Sequence, residues 1–371
     1  MNQSTRKPQV LMMAAGTGGH VFPALAVAEE LVSRGADIHW LGTPNGMENE
    51  LVAKHGYTYH AIDMQGLRGN GLARWIKLPF TLLKAVMATR ALIKRHHIDI
   101  AVGFGGYVTA PGGLAAKLSH KPLIIHEQNA IAGMSNKNLA RSADKVLQAF
   151  AGTFDFMANA LGARLMTVGN PVRRDIVGLP APSKRYDVTD NTPLKVLVVG
   201  GSLGAAAINA AVIELLKTIK RPLSVRHQCG KANHQEMLVA YSQAGIDTRL
   251  HTFELLPFID DMAKAYAWAD VVICRAGALT VSEIANAGVA AIFVPLPHAV
   301  DDHQTANAKI LTNSGAGMLM PQDTLTGQSL SDMLMQLSRQ RCLDMACHAY
   351  ALAQPHSAQK VADVVWGQLW R

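Results

Sequence analysis

The chain has 371 residues, 49% of them apolar, and its 35 lysines and arginines outweigh 27 acidic residues to give a net charge of +8. This composition excludes disorder and is long enough for two domains, each with its own core. The positive balance fits an anionic partner (a phosphorylated substrate, nucleic acid or an acidic membrane face) without choosing among them.

Four cysteines, Cys229, Cys274, Cys342 and Cys347, form no C-x-x-C pair, so buried free thiols in a reducing compartment are expected and zinc is not. The first apolar run, residues 10–15, is too short for a signal peptide and has no cleavage site. The long uncharged stretches 100–116 and 284–300 are broken by Gly and Pro, and read as sheet and turn rather than as membrane spans.

In chain order, residues 10–15 predict a strand, Gly16 to Gly19 a tight turn, and 20–33 a helix with Pro23 in its first turn and Gly35 beyond its end. Residues 38–41 predict a second strand. A dinucleotide site needs G-x-G-x-x-G and an acidic residue near the end of that strand. The chain has G-T-G-G-H and no carboxylate there, so NAD is not expected.

Residues 72–97 carry Trp75, Phe80, Leu83 and Met87 among six lysines and arginines, with no acidic residue. The greater part reads as a domain helix with an apolar stripe on a sheet, and the Trp75 to Phe80 beginning as a contact with an anionic bilayer. Strands follow at 98–102, before Gly103, Gly105, Gly106 and Tyr107, and at 122–126, before Glu127, Gln128 and Asn129. Dense glycine after a strand marks close approach by another backbone or a ligand. A strand at 145–148 completes the first half.

The proline-punctuated run 166–194 reads as a linker. The pattern then restarts with a strand at 195–199, a glycine turn at 200–204 and a helix at 205–216. Further strands are expected at 224–228, 249–252, 271–274 and 291–294. The strand at 271–274 feeds a turn holding Gly277 and then a helix. Such a junction aims backbone N–H groups at one point and attracts anions. Its plainer reading is an ordinary turn with Thr280 as N-cap and Glu283 closing a capping box.

Two doubly wound domains facing a central cleft would each offer strand carboxyl ends to one reactant of a group transfer. Glu283 could accept the hydroxyls of a ribose, and Arg173 could add a charge-assisted bond to a phosphate. The pairs Asp260-Asp261 and Asp301-Asp302 lack D-x-D spacing and no His or Cys cluster supplements them, so no metal is expected and helix N-termini serve as the electrostatic stabiliser. Candidates for the general base are His20, His126 and Glu127. His20 is preferred, because it opens a helix beside a glycine turn.

Six ordered motifs then coincide: G-T-G-G-H (Gly16 to His20), G-F-G-G-Y-V (Gly103 to Val108), H-E-Q-N (His126 to Asn129), G-N-P-V-R (Gly169 to Arg173), G-G-S-L-G-A (Gly200 to Ala205) and R-A-G-A-L-T-V-S-E (Arg275 to Glu283). Together they resemble the MurG family of bacterial UDP-N-acetylglucosamine–N-acetylmuramyl-(pentapeptide) pyrophosphoryl-undecaprenol N-acetylglucosamine transferases. The resemblance spans nearly the whole chain and implies an α/β, GT-B fold. Its domains would be 1–165, joined by the 357–371 helix, and 195–356.

The implied reaction is inverting transfer of N-acetylglucosamine from its UDP donor to the muramyl 4-hydroxyl of lipid I. The product is lipid II, made at the cytoplasmic face of the inner membrane by a peripheral enzyme with no cofactor, no metal and no nucleic-acid partner. By the same resemblance the donor positions are Thr17, Gly18, Gly19, Asn129, Arg173, Ser202, Ile259, Ala278, Leu279, Thr280, Val281, Ser282, Glu283 and Gln304. Ile259 would present its backbone to uracil, Glu283 would hold ribose and Ser202 would contact phosphate. Gly105, Gly106 and Tyr107, with His20, would face the acceptor. Leu203 and Ala276 stand where some members carry Gln and Ser, so only backbone roles carry over there. The alternatives are another GT-B enzyme, a glycolipid transferase or UDP-N-acetylglucosamine epimerase, or a nucleotide-sugar binding protein that catalyses nothing.

Overall fold

Short unbroken runs of Val, Ile, Leu and Met suit strands that are covered on both faces, and they pair in parallel throughout. The computed structural model describes residues 6–64, 72–201, 204–297 and 302–370, with the backbone alone over 72–78. The chain divides into two compact units, Met1–Arg173 with Pro355–Arg371, and Arg174–Gln354.

The first unit is built on β1 (Gln9–Ala14), β2 (Asp37–Gly42), β3 (Thr58–Ala61), β4 (Ile100–Gly105), β5 (Leu123–Glu127), β6 (Lys145–Gln148) and β7 (Leu165–Thr167), in the order β3-β2-β1-β4-β5-β6-β7. The order reverses between β1 and β4, the point at which open α/β sheets leave a crevice at their carboxyl ends. Val10, Met12 and Ala14 of β1 face one cluster of the core, and Leu11 and Met13 face another. The helix Ser357–Leu369 covers the first of these with Val361, Ala362 and Val365. It lies against the helix Gly18–Ser33, and Asp363 pairs with Arg34 at 2.7 Å.

Glycines let the elements of this unit approach closely. A Cβ on Gly112 would stand 2.4 Å from Met13 Sδ, and one on Gly106, at φ +80°, would stand 2.2 Å from the Ala15 carbonyl oxygen. The glycine density after β4 is therefore explained by protein packing at these two positions.

The second unit carries β8 (Leu194–Val199), β9 (Leu223–Gln228), β10 (Thr252–Leu256), β11 (Val271–Cys274), β12 (Ala290–Phe293) and β13 (Gly317–Leu319), in the order β10-β9-β8-β11-β12-β13. Here the order reverses between β8 and β11. A single large cluster, including Val196, Ile208, Val212, Ile273 and Ile292, fills this core.

Three strands, β3, β7 and β13, are absent from the sequence reading, and the strand expected at 249–252 lies at Thr252–Leu256. Within the run expected to be linker, Arg185 donates to the carbonyls of Pro180, Ala287 and Gly288, and the Tyr186 hydroxyl donates to the Asp270 carbonyl at 2.8 Å. Its polar residues thus act as ties to the second unit. Cys229, Cys274 and Cys342 are buried free thiols, while Cys347 is exposed. No helix among the described residues is long and apolar enough to cross a membrane.

Candidate functional site

In the first unit the switch point gathers the loops that follow β1, β4 and β5. Ala14 pairs with Gly105, so the turn at 16–19 and the turn at 105–107 leave the sheet side by side. Gly105 sits at φ +107°, where a Cβ would be 2.7 Å from His20 Nδ1. Only glycine allows the His20 ring to rest there. Gly105 is buried, Gly106 is partly covered, and Tyr107 is half exposed.

His20 belongs to a chain of hydrogen bonds whose proton positions follow from its far end. His126 Nε2 meets the Gly169 carbonyl at 2.9 Å, and a carbonyl only accepts, so this nitrogen carries the proton. His126 Nδ1 is then an acceptor for Gln128 Nε2 at 3.1 Å, and the same amide donates to the His126 carbonyl. Gln128 Oε1 is left to accept from His20 Nδ1 at 3.0 Å. With Nδ1–H committed, a neutral His20 has its lone pair on Nε2. Burial, partly opposed by the Gly169 bond, lowers the His126 pKa to about 4, so this ring stays neutral at cellular pH and the order of the chain is kept.

Two of the three base candidates are thereby excluded. His126 is fully buried and both its nitrogens are bonded. Glu127, 2% exposed, takes bonds from the Asn129 amide and side chain on one oxygen and from Gly133 and Asn136 on the other. It holds the 127–136 loop and positions Asn129. The H-E-Q-N motif by itself gives Gln128 no role, because nothing in it shows which polar side chain turns inward.

Glu48 was also missed. It is fully buried and accepts from the amides of Thr43 and Gly16, at 2.9 and 3.3 Å, and from the Thr43 hydroxyl. Glu48 thus occupies the Gly16 amide, and a bound anion would have to use other donors of the 16–19 turn. Thr17 is exposed and precedes the Gly18–Ser33 helix without a side-chain cap bond; Gly18 and Gly19 are partly exposed. Arg173 lies over the Phe22 ring at 5.6 Å.

In the second unit β11 runs into Arg275, Ala276 and Gly277 and then the helix Ala278–Ala287. Gly277 is the N-cap, in extended conformation and with no side-chain cap bond, so Thr280 lies inside the first turn and no capping box forms with Glu283. Arg275 turns away to the carbonyls of Val294 and Pro295 and to Gln322, and Asn307 donates to the Ala276 carbonyl at 3.2 Å. These contacts hold the junction and leave the helix N-terminus uncovered by the Arg275 side chain. A helix end of this kind favours negative charge by roughly 0.3–1 kcal/mol, up to ~2 kcal/mol when partly buried.

Glu283 is 7% exposed, and the buried Tyr266 hydroxyl donates to its Oε2 at 3.0 Å. Burial, with the Glu283 carboxylate close by, pushes the Cys274 thiol well up, so Cys274 stays protonated. Leu279 and Thr280 are partly exposed, whereas Ala278, Val281 and Ser282 are buried. Ile259 lies partly exposed in the loop after β10, and Gln304 Oε1 accepts from the Leu296 amide at 2.9 Å. Asp261 caps the helix Met262–Trp268 and pairs with Lys264. Ser202, Leu203, Asp301 and the Trp75 side chain lie outside the described residues.

Comparison with known proteins adds to this geometry. Residues 10–148 match the glycosyltransferase family 28 N-terminal domain, and residues 195–363 match the family's C-terminal domain. A UDP-N-acetylglucosamine–N-acetylmuramyl-(pentapeptide) pyrophosphoryl-undecaprenol N-acetylglucosamine transferase of Psychrobacter arcticus is 60% identical over 364 residues, covering 98% of this chain and all of the relative. The crystal structure of Acinetobacter baumannii MurG superposes with a TM-score of 0.82 at 45% identity, over 97% of this chain and 99% of that one. A glycosyltransferase from Rickettsia africae, at 14% identity and a TM-score of 0.63 over 98% of this chain and 99% of its own, shares the fold.

Proposed function

The chain belongs to glycosyltransferase family 28, and from that premise we propose that it transfers N-acetylglucosamine from UDP to the 4-hydroxyl of the muramyl sugar of lipid I, giving lipid II. It is a hexosyltransferase of GT-B fold, and full-length identity to transferases of this one specificity supports the substrates. The observation that carries the mechanism is the chain from the Gly169 carbonyl to His20, which leaves a lone pair on His20 Nε2.

In this reading His20 Nε2 takes the proton of the acceptor hydroxyl as that oxygen forms its bond to the anomeric carbon. The bond from that carbon to the diphosphate breaks on the opposite face, inverting the configuration, and UDP leaves with the electron pair. The N-terminus of the Ala278–Ala287 helix stabilises the departing diphosphate with fixed amide dipoles. Glu283 holds the ribose, and the Ile259 backbone meets the uracil. Thr17, Gly18, Gly19, Asn129, Arg173, Ser202, Leu279, Thr280 and Gln304 are proposed as further donor contacts, and Tyr107 as an acceptor contact. The test is product formation from UDP-N-acetylglucosamine and a lipid I analogue. Acceptor-independent conversion to an epimer, without the disaccharide product, would overturn the reading.

Gln128 is a positioning residue here. Gln128→Ala is expected to lower kcat roughly tenfold, the value of one hydrogen bond of about 1–1.5 kcal/mol, with the donor KM unchanged. Gln128→Glu is expected to move the acid limb of the kcat profile to higher pH, because a carboxylate beside His20 Nδ1 favours the imidazolium. A limb that stays in place in a folded Gln128→Glu enzyme would remove the link between Gln128 and the base.

Peripheral attachment to an anionic bilayer is proposed through the helix Leu72–Arg95. Ala85, Val86 and Ile93 bury one face in the core, while Phe80, Leu83 and Met87, spaced three and four apart, are 75%, 60% and 53% exposed beside exposed Lys84, Arg90 and Lys94. In flotation with phosphatidylglycerol-containing vesicles, Phe80→Glu with Leu83→Glu is expected to weaken binding roughly tenfold or more, about 1.4 kcal/mol, less than full burial of one Phe is worth. Undiminished flotation would show that this face is not the contact.

A further inference from the structure

The proposed reaction leaves unused three histidines at the edge of the first sheet. His39 lies on β2, His60 on β3, and His96 directly follows the helix Leu72–Arg95. One ring nitrogen from each falls within 4.8 Å of the other two. The ring centroids are 5.3 Å apart for His39 and His60, 4.8 Å for His39 and His96, and 4.7 Å for His60 and His96. Zinc–imidazole bonds of about 2.0–2.1 Å in a tetrahedral array place donor atoms ~3.3 Å apart. His39 Nδ1 and His60 Nε2 stand 3.0 Å apart as a hydrogen bond that His60 donates, so ligation would exchange this bond for the ion, with the His60 proton moving to Nδ1, and the His96 ring beside them is partly exposed.

His39 is the fixed member of the group. It is 7% exposed, and its Nε2 meets Gln9 Oε1 at 2.9 Å. An amide oxygen only accepts, so the proton sits on Nε2 and the Nδ1 lone pair points to the other rings. Gln9 is itself anchored, donating to Asp37 Oδ2 at 3.0 Å and to the Lys7 carbonyl at 3.1 Å. An outer hydrogen bond of this kind sets the tautomer and ring angle of metal-ligating histidines.

We propose that His39, His60 and His96 bind one divalent late first-row transition ion, of which zinc is the type, at the β2–β3 edge. Three imidazoles and no carboxylate favour zinc, nickel or copper over magnesium and calcium, and water would complete the coordination on the exposed side. The ion would fasten the end of the Leu72–Arg95 helix to the sheet edge.

The test uses the full chain carrying Cys347→Ser, which removes the exposed thiol. Zinc is titrated against a chromophoric chelator, and cobalt is used for its visible spectrum. Expected are one equivalent of zinc per chain, the absorption bands of four-coordinate cobalt, and a melting temperature that rises with zinc concentration. Gln9→Ala is expected to weaken zinc binding by roughly 10- to 100-fold, and His60→Gln and His96→Gln by at least as much. His348→Gln, in the second unit, is expected to leave it unchanged. Circular dichroism and retained transferase activity report that the variants are folded. Absence of a saturable equivalent, or equal affinity in folded His60→Gln and His96→Gln, would overturn the proposal and leave the histidines as a hydrogen-bonded stack.

Discussion

Replacing His20 by alanine is expected to lower kcat by roughly 10²- to 10⁴-fold, the usual contribution of a positioned general base, while the affinity for UDP-N-acetylglucosamine changes little. The expectation follows from the direction of the hydrogen-bond chain. Gly169 fixes His126, His126 fixes the Gln128 amide, and Gln128 fixes the proton on His20 Nδ1. Little stability should be lost with the ring, because it is partly exposed and rests on Gly105. Single-turnover measurement with saturating donor separates chemistry from binding. Lost donor binding with normal turnover of the donor that does bind would rule out the base role and make His20 a donor ligand.

Glu283→Ala is the second large effect. A hydrogen bond to a charged group is worth about 1.5–3 kcal/mol, so the donor constant is expected to rise roughly 10- to 100-fold, with relaxed choice among nucleoside diphosphate sugars. Because Glu283 is nearly buried and bound to Tyr266, part of any loss could come from the disturbed helix rather than the missing ribose contact. Tyr266→Phe separates the two effects. It removes this one hydrogen bond and keeps the carboxylate, so its donor constant is expected to stay within a few-fold of the parent. Unchanged donor affinity in a folded Glu283→Ala enzyme would remove the ribose assignment.

Most of the interior framework was legible because central parallel strands are apolar on both faces, and β1, β8, β11 and β12 stand out as runs of Val, Ile, Leu, Met, Ala and Phe. The strands that were missed or displaced, β3, β7, β10 and β13, are the four edges of the two sheets. Edge strands are partly exposed, as T-Y-H-A of β3 and L-M-T of β7 are, so burial does not force the apolar pattern that sequence reading depends on. Composition likewise does not record the tertiary bonds that Arg185 and Tyr186 make within 166–194.

At the site, residue types were readable and orientations were not. His20 follows from its place after the glycine turn. The exclusion of His126 and Glu127, and the role of Gln128, depend on which way each side chain turns at the end of β5. The carboxylate of Glu48 reaches the Gly16 amide from the M-E-N-E segment, which carries no motif. His39, His60 and His96 are separated by 21 and 36 residues, far outside the short spacings by which metal ligands are recognised, and only the pairing of β2 with β3 and the packed end of a long helix brings them together.

The return of the Ser357–Leu369 helix to the first unit has a consequence for biosynthesis. A nascent chain emerges from its amino end, so all of Arg174–Gln354 is made before Val361, Ala362 and Val365 exist to complete the cluster that Val21, Ala24 and Ala28 already form with Val10, Met12 and Ala14. The second unit, continuous in sequence, can complete its core on the ribosome, while the first waits with the part of this cluster beside the Gly18–Ser33 helix unfilled. The polypeptide made first is thus finished last, and during that delay the groove that Val361, Ala362 and Val365 will fill stays open to water and to wrong partners.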